Sequence, residues 1–259
     1  MEPRQSHTDR IREQFTKQAG AYTQMQQTRD EAAMAGLVRL CGTRPSDRVL
    51  DVACGPGFLT MAFAAQCGEA VGVDATQELL ARARAEAAAR GLGKVEFRSG
   101  DAYDLGWAAG AFDIVSCRAA FHHFVDPAAV VRGMKGALGA GGKLLIADML
   151  GSEDAAKAEL HDRVERLCDP THVRALPQSE FNAMFAAAGL RADTCVTTSI
   201  DYDVEEWMDH GGPTSDVRRE IVELLEASVD GDRAGLAVRR EDGRLRFSHV
   251  GAAFVLTPV

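Results

Sequence analysis

The sequence predicts an α/β fold built on a doubly wound, largely parallel sheet. Two observations carry this. Strand-length apolar runs alternate with helix-length runs from Arg48 to Met149, the rhythm of strand, crossover helix and next strand. The first strand, Val49-Leu50-Asp51-Val52, runs through Ala53 and Cys54 into a Gly55-Pro56-Gly57 turn that opens directly into a helix. Three apolar residues around Asp51 suit a strand covered on both faces. Two glycines allow the backbone close to a ligand where a Cβ would intrude.

Taken in order, His7 to Gly20 is amphipathic at helical spacing, with Ile11, Phe15 and Ala19 on one face. Thr28 to Cys41 reads as a second helix. Arg48 to Val52 is the first strand and Phe58 to Cys67 its helix. Ala70 to Val73 is the second strand, closed by Asp74, and Gln77 to Arg90 an alanine-rich helix stopped by Gly91. Val95 to Arg98 and Phe112 to Cys117 are the third and fourth strands. Ala128 to Leu138 is helical and ends at a glycine turn, Gly139 to Gly142, before the fifth strand, Lys143 to Met149. The rhythm then changes. Glu153 to Leu167 is a charged helix, and Ser179 to Ala188 another, between Pro177 and Gly189. Thr194 to Tyr202 alternates like a sixth strand, Val204 to His210 and Thr214 to Ser228 are helical, and Leu245 to Leu256 is a last, antiparallel strand. The elements divide the chain into an N-terminal helical segment (1–42), a ligand-binding core (43–150), an inserted helical segment (151–189) and a segment that completes a seven-stranded sheet (190–259).

Bulk properties narrow the classes. A chain of 259 residues can bury a sizeable core as one domain. The net charge of −9 argues against a partner held mainly through phosphates, so no nucleic acid is expected. No apolar run approaches the roughly 20 residues of a membrane span, so no membrane partner is expected. Met1 to Gln18 is too polar for a secretory signal. The six cysteines form no C-x-x-C pair, which points to neither a zinc ribbon nor a disulfide framework and fits a cytoplasmic setting.

The turn chemistry selects among ligands. A dinucleotide fingerprint needs a third glycine where this chain has Thr60, and Asp51 beside the turn would repel a pyrophosphate. A carboxylate there attracts a cationic amine instead. Asp74, about twenty residues on, suits ribose hydroxyls. The pattern Asp51-x-Ala53-x-Gly55-x-Gly57 resembles the first motif of class I S-adenosylmethionine-dependent methyltransferases, with Ala53 where that family usually has glycine. Phe121-His122-His123-Phe124-Val125-Asp126-Pro127 and Asp169-Pro170-Thr171-His172-Val173-Arg174 resemble segments of its ubiquinone/menaquinone-methyltransferase-like subgroup, which acts on small molecules.

The resemblance implies a Rossmann-like sheet with S-adenosyl-L-methionine as cofactor. It places the amino-acid part of the cofactor on Asp51, Ala53, Gly55 and Gly57, and the ribose on Asp74 with Ala75, Thr76 and Leu79 alongside. Gly100, Asp101 and Ala102 fall to the adenine, and Cys117 and Arg118 to the methionyl side. The resemblance makes the N-terminal helical segment (1–42) a lid that carries Phe15 and Tyr22, with the Tyr22 ring near the sulfonium, and the inserted helical segment (151–189) a cap over the substrate side. Tyr22, His123 and His172 are the residues expected nearest the chemistry, His123 as a general base. His122, Asp148 and Arg174 are expected on the acceptor side. The two adjacent histidines supply too few ligands for zinc, and no metal is expected. The implied function is in-line methyl transfer to oxygen, nitrogen or carbon of a small acceptor, by a monomer or homodimer. A macromolecular methyltransferase and a protein that binds the cofactor without methyl transfer are the alternatives.

Overall fold

The computed structural model describes residues 4–259; residues 1–3 of the expected lid segment lie outside the described residues. Three helices come first: α1 (Arg4–Gln24), α2 (Gln26–Arg29) and α3 (Glu31–Cys41). The expected helix from Thr28 is thus broken at Asp30. That residue takes an extended conformation and its carboxylate accepts the Ala33 amide at 2.9 Å, capping α3. Then follow β1 (Arg48–Val52), α4 (Phe58–Ala64), β2 (Glu69–Asp74), α5 (Gln77–Ala89), β3 (Val95–Ser99) and β4 (Phe112–Arg118). A short 3-10 turn, Phe121–His123, leads to α6 (Pro127–Ala137) and β5 (Leu138–Met149). The glycines expected to form a turn at 139–142 lie within β5, where the pairing with β4 shifts register between Phe112 and Ile114. Glycine at an irregular strand start costs little because the ladder is already broken there.

The chain continues through α7 (Ala155–Cys168), α8 (Gln178–Ala187), β6 (Leu190–Asp203), α9 (Val204–Gly211), α10 (Ser215–Val229), β7 (Arg239–Glu241) and β8 (Arg244–Pro258). The sheet order is β3-β2-β1-β4-β5-β8-β6, with β1 to β5 parallel and β8 antiparallel to both neighbours. An eighth strand, β7, pairs with β8 through a tight hairpin around Asp242 and Gly243. The sequence pattern missed it because three charged residues carry no apolar alternation.

Two apolar layers clamp the sheet. One holds Val115, Ile146, Val130, Val131, Met134, Phe181, Phe185 and Phe254; the other holds Val49, Met61, Leu80, Ile114, Leu145 and Met34. Each fully buried aliphatic side chain contributes about 1.5–3 kcal/mol. A third cluster joins α7, α9, α10 and β8 through Val164, Trp207, Met208, Ile221, Leu225 and Phe247. The segment 151–189 is therefore divided. α7 joins the third cluster, whereas α8 seats Phe181 and Phe185 in the core of the main sheet.

Candidate active site

The glycine turn at the carboxyl end of β1 is a cradle of left-handed backbone, closed to a side chain at Gly57. Ala53, Gly55 and Gly57 take positive φ values of 53°, 54° and 79°. A Cβ on Gly57 would land 2.5 Å from the Phe97 ring. Beneath the turn, Asp51 accepts hydrogen bonds from Thr60 Oγ1 and Ser116 Oγ, both at 2.7 Å. Burial pushes its pKa up to about 6, against the pull of those two hydroxyls and Arg118. Asp74 accepts the amide of Gly55 on one oxygen and that of Thr76 on the other, both at 2.8 Å. It thus ties the end of β2 to the turn, and each oxygen keeps a lone pair. Burial again raises the pKa.

The other cofactor-side residues follow the edge of the sheet. Thr76 and Leu79 are buried at the start of α5, with Ala75 half-buried before them. Gly100 crosses so near β2 that a Cβ would lie 2.6 Å from Val73 Cγ1. Asp101 accepts the Tyr103 amide at 2.9 Å, and Ala102 packs against the core. Cys117 is fully buried and burial pushes its thiol well up, which suits packing rather than nucleophilic attack.

α1 lies over this edge. A Cβ on Gly55 would be 3.7 Å from the Tyr22 ring, so that ring covers the turn. Phe15 packs edge-on against both Tyr22 and His123, with centroids 5.4 and 5.3 Å apart. His7 Nε2 donates to the carbonyl of His123 at 2.9 Å, and Arg4 pairs with Asp126. α1 buries His7, Thr8, Gln18 and Ala19, a mostly polar set, where α6 buries Val130, Val131, Met134 and Ala137. α1 is therefore held by less buried apolar area than α6.

A cavity of about 660 Å³ opens beside the turn. Its walls include α1, α3, the ends of β4 and β5, α7, α9 and one face of β6 and β8. Tyr22, Thr28 and Arg118 line both this cavity and a small notch on the glycine turn. Within it, His122 Nδ1 lies 2.6 Å from Asp148 Oδ1. Asp148 also accepts the amides of Ala120, Phe121 and Met149 at 2.7–2.8 Å. Burial disfavours both charges, but the pair overcomes it: His122 titrates above its ordinary value and Asp148 below.

His123 behaves differently. Its Nδ1 faces the Thr171 carbonyl at 3.1 Å, and burial, then the neighbouring His122, push its pKa down to about 4. His172 lines the cavity with Nε2 bonded to Asp162 Oδ1 at 2.8 Å. Arg174 is placed elsewhere: it is exposed, pairs with Glu180 and is absent from the cavity wall. A charged head on a short loop finds its partner in the nearby first turn of α8, which the motif alone does not reveal. Reasoning from sequence missed Glu165, Tyr202, Trp207 and His249, which also line the cavity. Their one sequence signal is the helical spacing of His161 and Glu165.

Residues 44–208 match the family model described as "Methyltransferase domain". The chain is 32% identical over 216 residues to the uncharacterized methyltransferase YcgJ of Bacillus subtilis, covering 83% of this chain and 85% of that protein. The crystal structure of YcgJ superposes with a TM-score of 0.78 over 87% of this chain and 97% of that one, at 30% identity. A chain of Bacillus halodurans C-125, assigned as a methyltransferase, gives 0.82 at 29% identity over 87% and 98% of the two chains. A ubiquinone biosynthesis O-methyltransferase of Xanthomonas axonopodis is 35% identical over 103 residues, 39% of this chain and 43% of that one. The fold and the glycine turn define a class I, S-adenosylmethionine-dependent methyltransferase. This chain belongs to that methyltransferase-domain family.

Proposed function

We propose that this enzyme methylates a small molecule with a largely apolar body and one ionisable O–H, N–H or acidic C–H. The observation that carries the reading is the junction at Tyr22, Thr28 and Arg118, which makes the cofactor turn and the large cavity neighbours. A cavity of about 660 Å³ falls within the range for small-molecule sites, roughly 300–1,000 Å³. The net charge of −9 counts against an RNA acceptor.

The residues fit the cofactor. The turn leaves no Cβ at Gly55 and Gly57, Asp74 keeps lone pairs for ribose hydroxyls, and Gln18 Nε2 on the cavity wall is a buried donor without a partner among the described residues. Asp51, with the turn, would attract the ammonium, Arg118 the carboxylate, and Asp101 with Ala102 the adenine. S-adenosylmethionine, when bound, supplies an electrophilic methyl group on a cationic sulfur. The protein then has three tasks. Tyr22 presents an aromatic face beside the turn, favourable to a cation. α1 covers the edge and excludes water. His122 takes the acceptor's proton at Nε2, because Asp148 holds Nδ1–H and stabilises the imidazolium that results. This assigns the base to His122 rather than His123, which holds its pKa near 4 and is a poor proton acceptor at neutral pH. His172, bonded to Asp162, shapes the wall. Six free cysteines fit a reducing, cytoplasmic compartment, and a monomer or homodimer suffices for this scheme.

Calorimetry with S-adenosylmethionine and S-adenosylhomocysteine, followed by labelled-methyl transfer to phenols, carboxylic acids, thiols, amines and total tRNA, tests the proposal. Asp74→Ala should weaken cofactor binding about 10- to 100-fold, or about 1–3 kcal/mol for lost charged hydrogen bonds. Transfer to tRNA in preference to every metabolite class would refute the small-molecule reading. Binding without any methylated product would favour a sensor.

A further inference from the structure

We propose that His161, Glu165 and His249 form a binding site for a divalent first-row transition-metal ion in the wall of the cavity. This goes beyond methyl transfer and does not rest on it. His161 and Glu165 sit one turn apart on α7, so both project from the same helix face. His249 comes to meet them from β8, 84 residues beyond Glu165. Glu165 Oε1 is 2.7 Å from His249 Nε2 and 3.8 Å from His161 Nε2. All three donor atoms lie within 4.8 Å of one another, and the residues are 2%, 6% and 4% exposed. Ligand atoms about 2.0–2.2 Å from a tetrahedral ion stand roughly 3.3–3.6 Å apart, so small adjustments would complete the geometry.

A second observation points the same way. His161 Nε2 is buried and has no hydrogen-bond partner among the described residues, although it faces two groups able to share an ion. A His249–Glu165 hydrogen-bonded pair would account for two of the three side chains and leave the third idle. Two imidazoles and one carboxylate suit zinc, iron(II) or cobalt(II) better than calcium or magnesium, which prefer all-oxygen shells. Three protein ligands also leave a coordination position open. Glu165 and His249 line the cavity, whereas His161 does not, so the site borders the cavity. A water would complete the shell of an ion there.

The test is titration of the full-length, metal-stripped protein with zinc and, for its spectrum, cobalt(II). One equivalent should bind, with a cobalt spectrum that lacks the intense thiolate charge-transfer band. Glu165→Gln and His249→Gln should each lower affinity by at least about 100-fold, the upper end of what loss of a group outside the ligand shell costs. The ring nitrogens of His161 and His249 should shift in the wild-type NMR spectrum on zinc addition, which decides the matter even if a variant fails to fold. No saturable binding, a thiolate band from the cysteines, unchanged affinity in both variants, or unmoved His161 and His249 signals would overturn the site.

Discussion

The two halves of the sheet's carboxyl edge are built in opposite ways. The donor half draws on a short stretch: Asp51, the 53–57 turn, Thr60 and Asp74 lie within 24 residues, and the carboxylates of Asp51 and Asp74 accept from Gly55, Thr60 and Thr76 nearby and from Ser116 on β4. The other half, where we propose the acceptor binds, collects His122, Asp148, Glu165, His172, Tyr202 and His249 from six separate segments. In the first, backbone geometry makes the site, so it is rigid and intolerant of side chains. In the second, buried titratable groups make it, and their properties depend on distant partners. A fold organised this way can keep one cofactor turn and vary the acceptor by changing the far wall.

This contrast is breakable. The largest expected effect is on turnover. His122→Ala should lower it by about 10²–10⁴-fold while leaving cofactor affinity near the wild-type value, and His123→Ala should cost about tenfold or less. Steady-state rates beside calorimetric cofactor affinities check this, and equal losses in the two variants would remove the His122–Asp148 dyad from the chemistry.

Gly57→Ala comes next and probes the donor half. The added Cβ meets the Phe97 ring at 2.5 Å in a backbone with φ of 79°, so stability should fall by about 2–4 kcal/mol. A denaturation midpoint close to wild type would show that the turn is less confined than its geometry indicates.

The smallest effect is electrostatic. Burial holds the Asp51 pKa at about 6, above the 3.8 of an ordinary aspartate. Between those two values the folded protein keeps a proton that the unfolded chain has released. Asp51 therefore disfavours folding progressively as pH rises from about 4 to about 6, by about 1–3 kcal/mol, with no further change above. Asp148, whose pKa is lowered, slopes the other way in acid, so the comparison must be with Asp51→Asn. Denaturant melts of both proteins across this window should converge toward pH 4 and diverge toward pH 6. Parallel curves would place the Asp51 titration at an ordinary value.

Much of the donor half was legible because its information is local. Strand, turn and helix follow one another in sequence, and an acid at a strand end projects toward the edge where such sheets bind ligands. The acceptor half was legible only in part. The motifs drew attention to His122, His123, Asp148 and His172, and all four line the cavity. Which histidine meets Asp148 depended on the 3-10 turn at Phe121–His123, whose Phe121 amide also binds Asp148. Arg174 went to the surface because Glu180 stood near it. α8 packs Phe181 and Phe185 beside Phe254, a contact with a strand about 70 residues further along that no local pattern announces. Asp30 divided α2 from α3 because a carboxylate that caps a helix also starts one.

By itself, the order of residues determined the alternating sheet and the cofactor turn, since periodicity and glycine placement act over a few residues. The tertiary structure alone decided that His249 would reach Glu165 and that His122 rather than His123 would hold the carboxylate of Asp148. Those outcomes depend on which surfaces meet after the chain has closed loops of many residues, and no local pattern encodes a distance between positions that far apart.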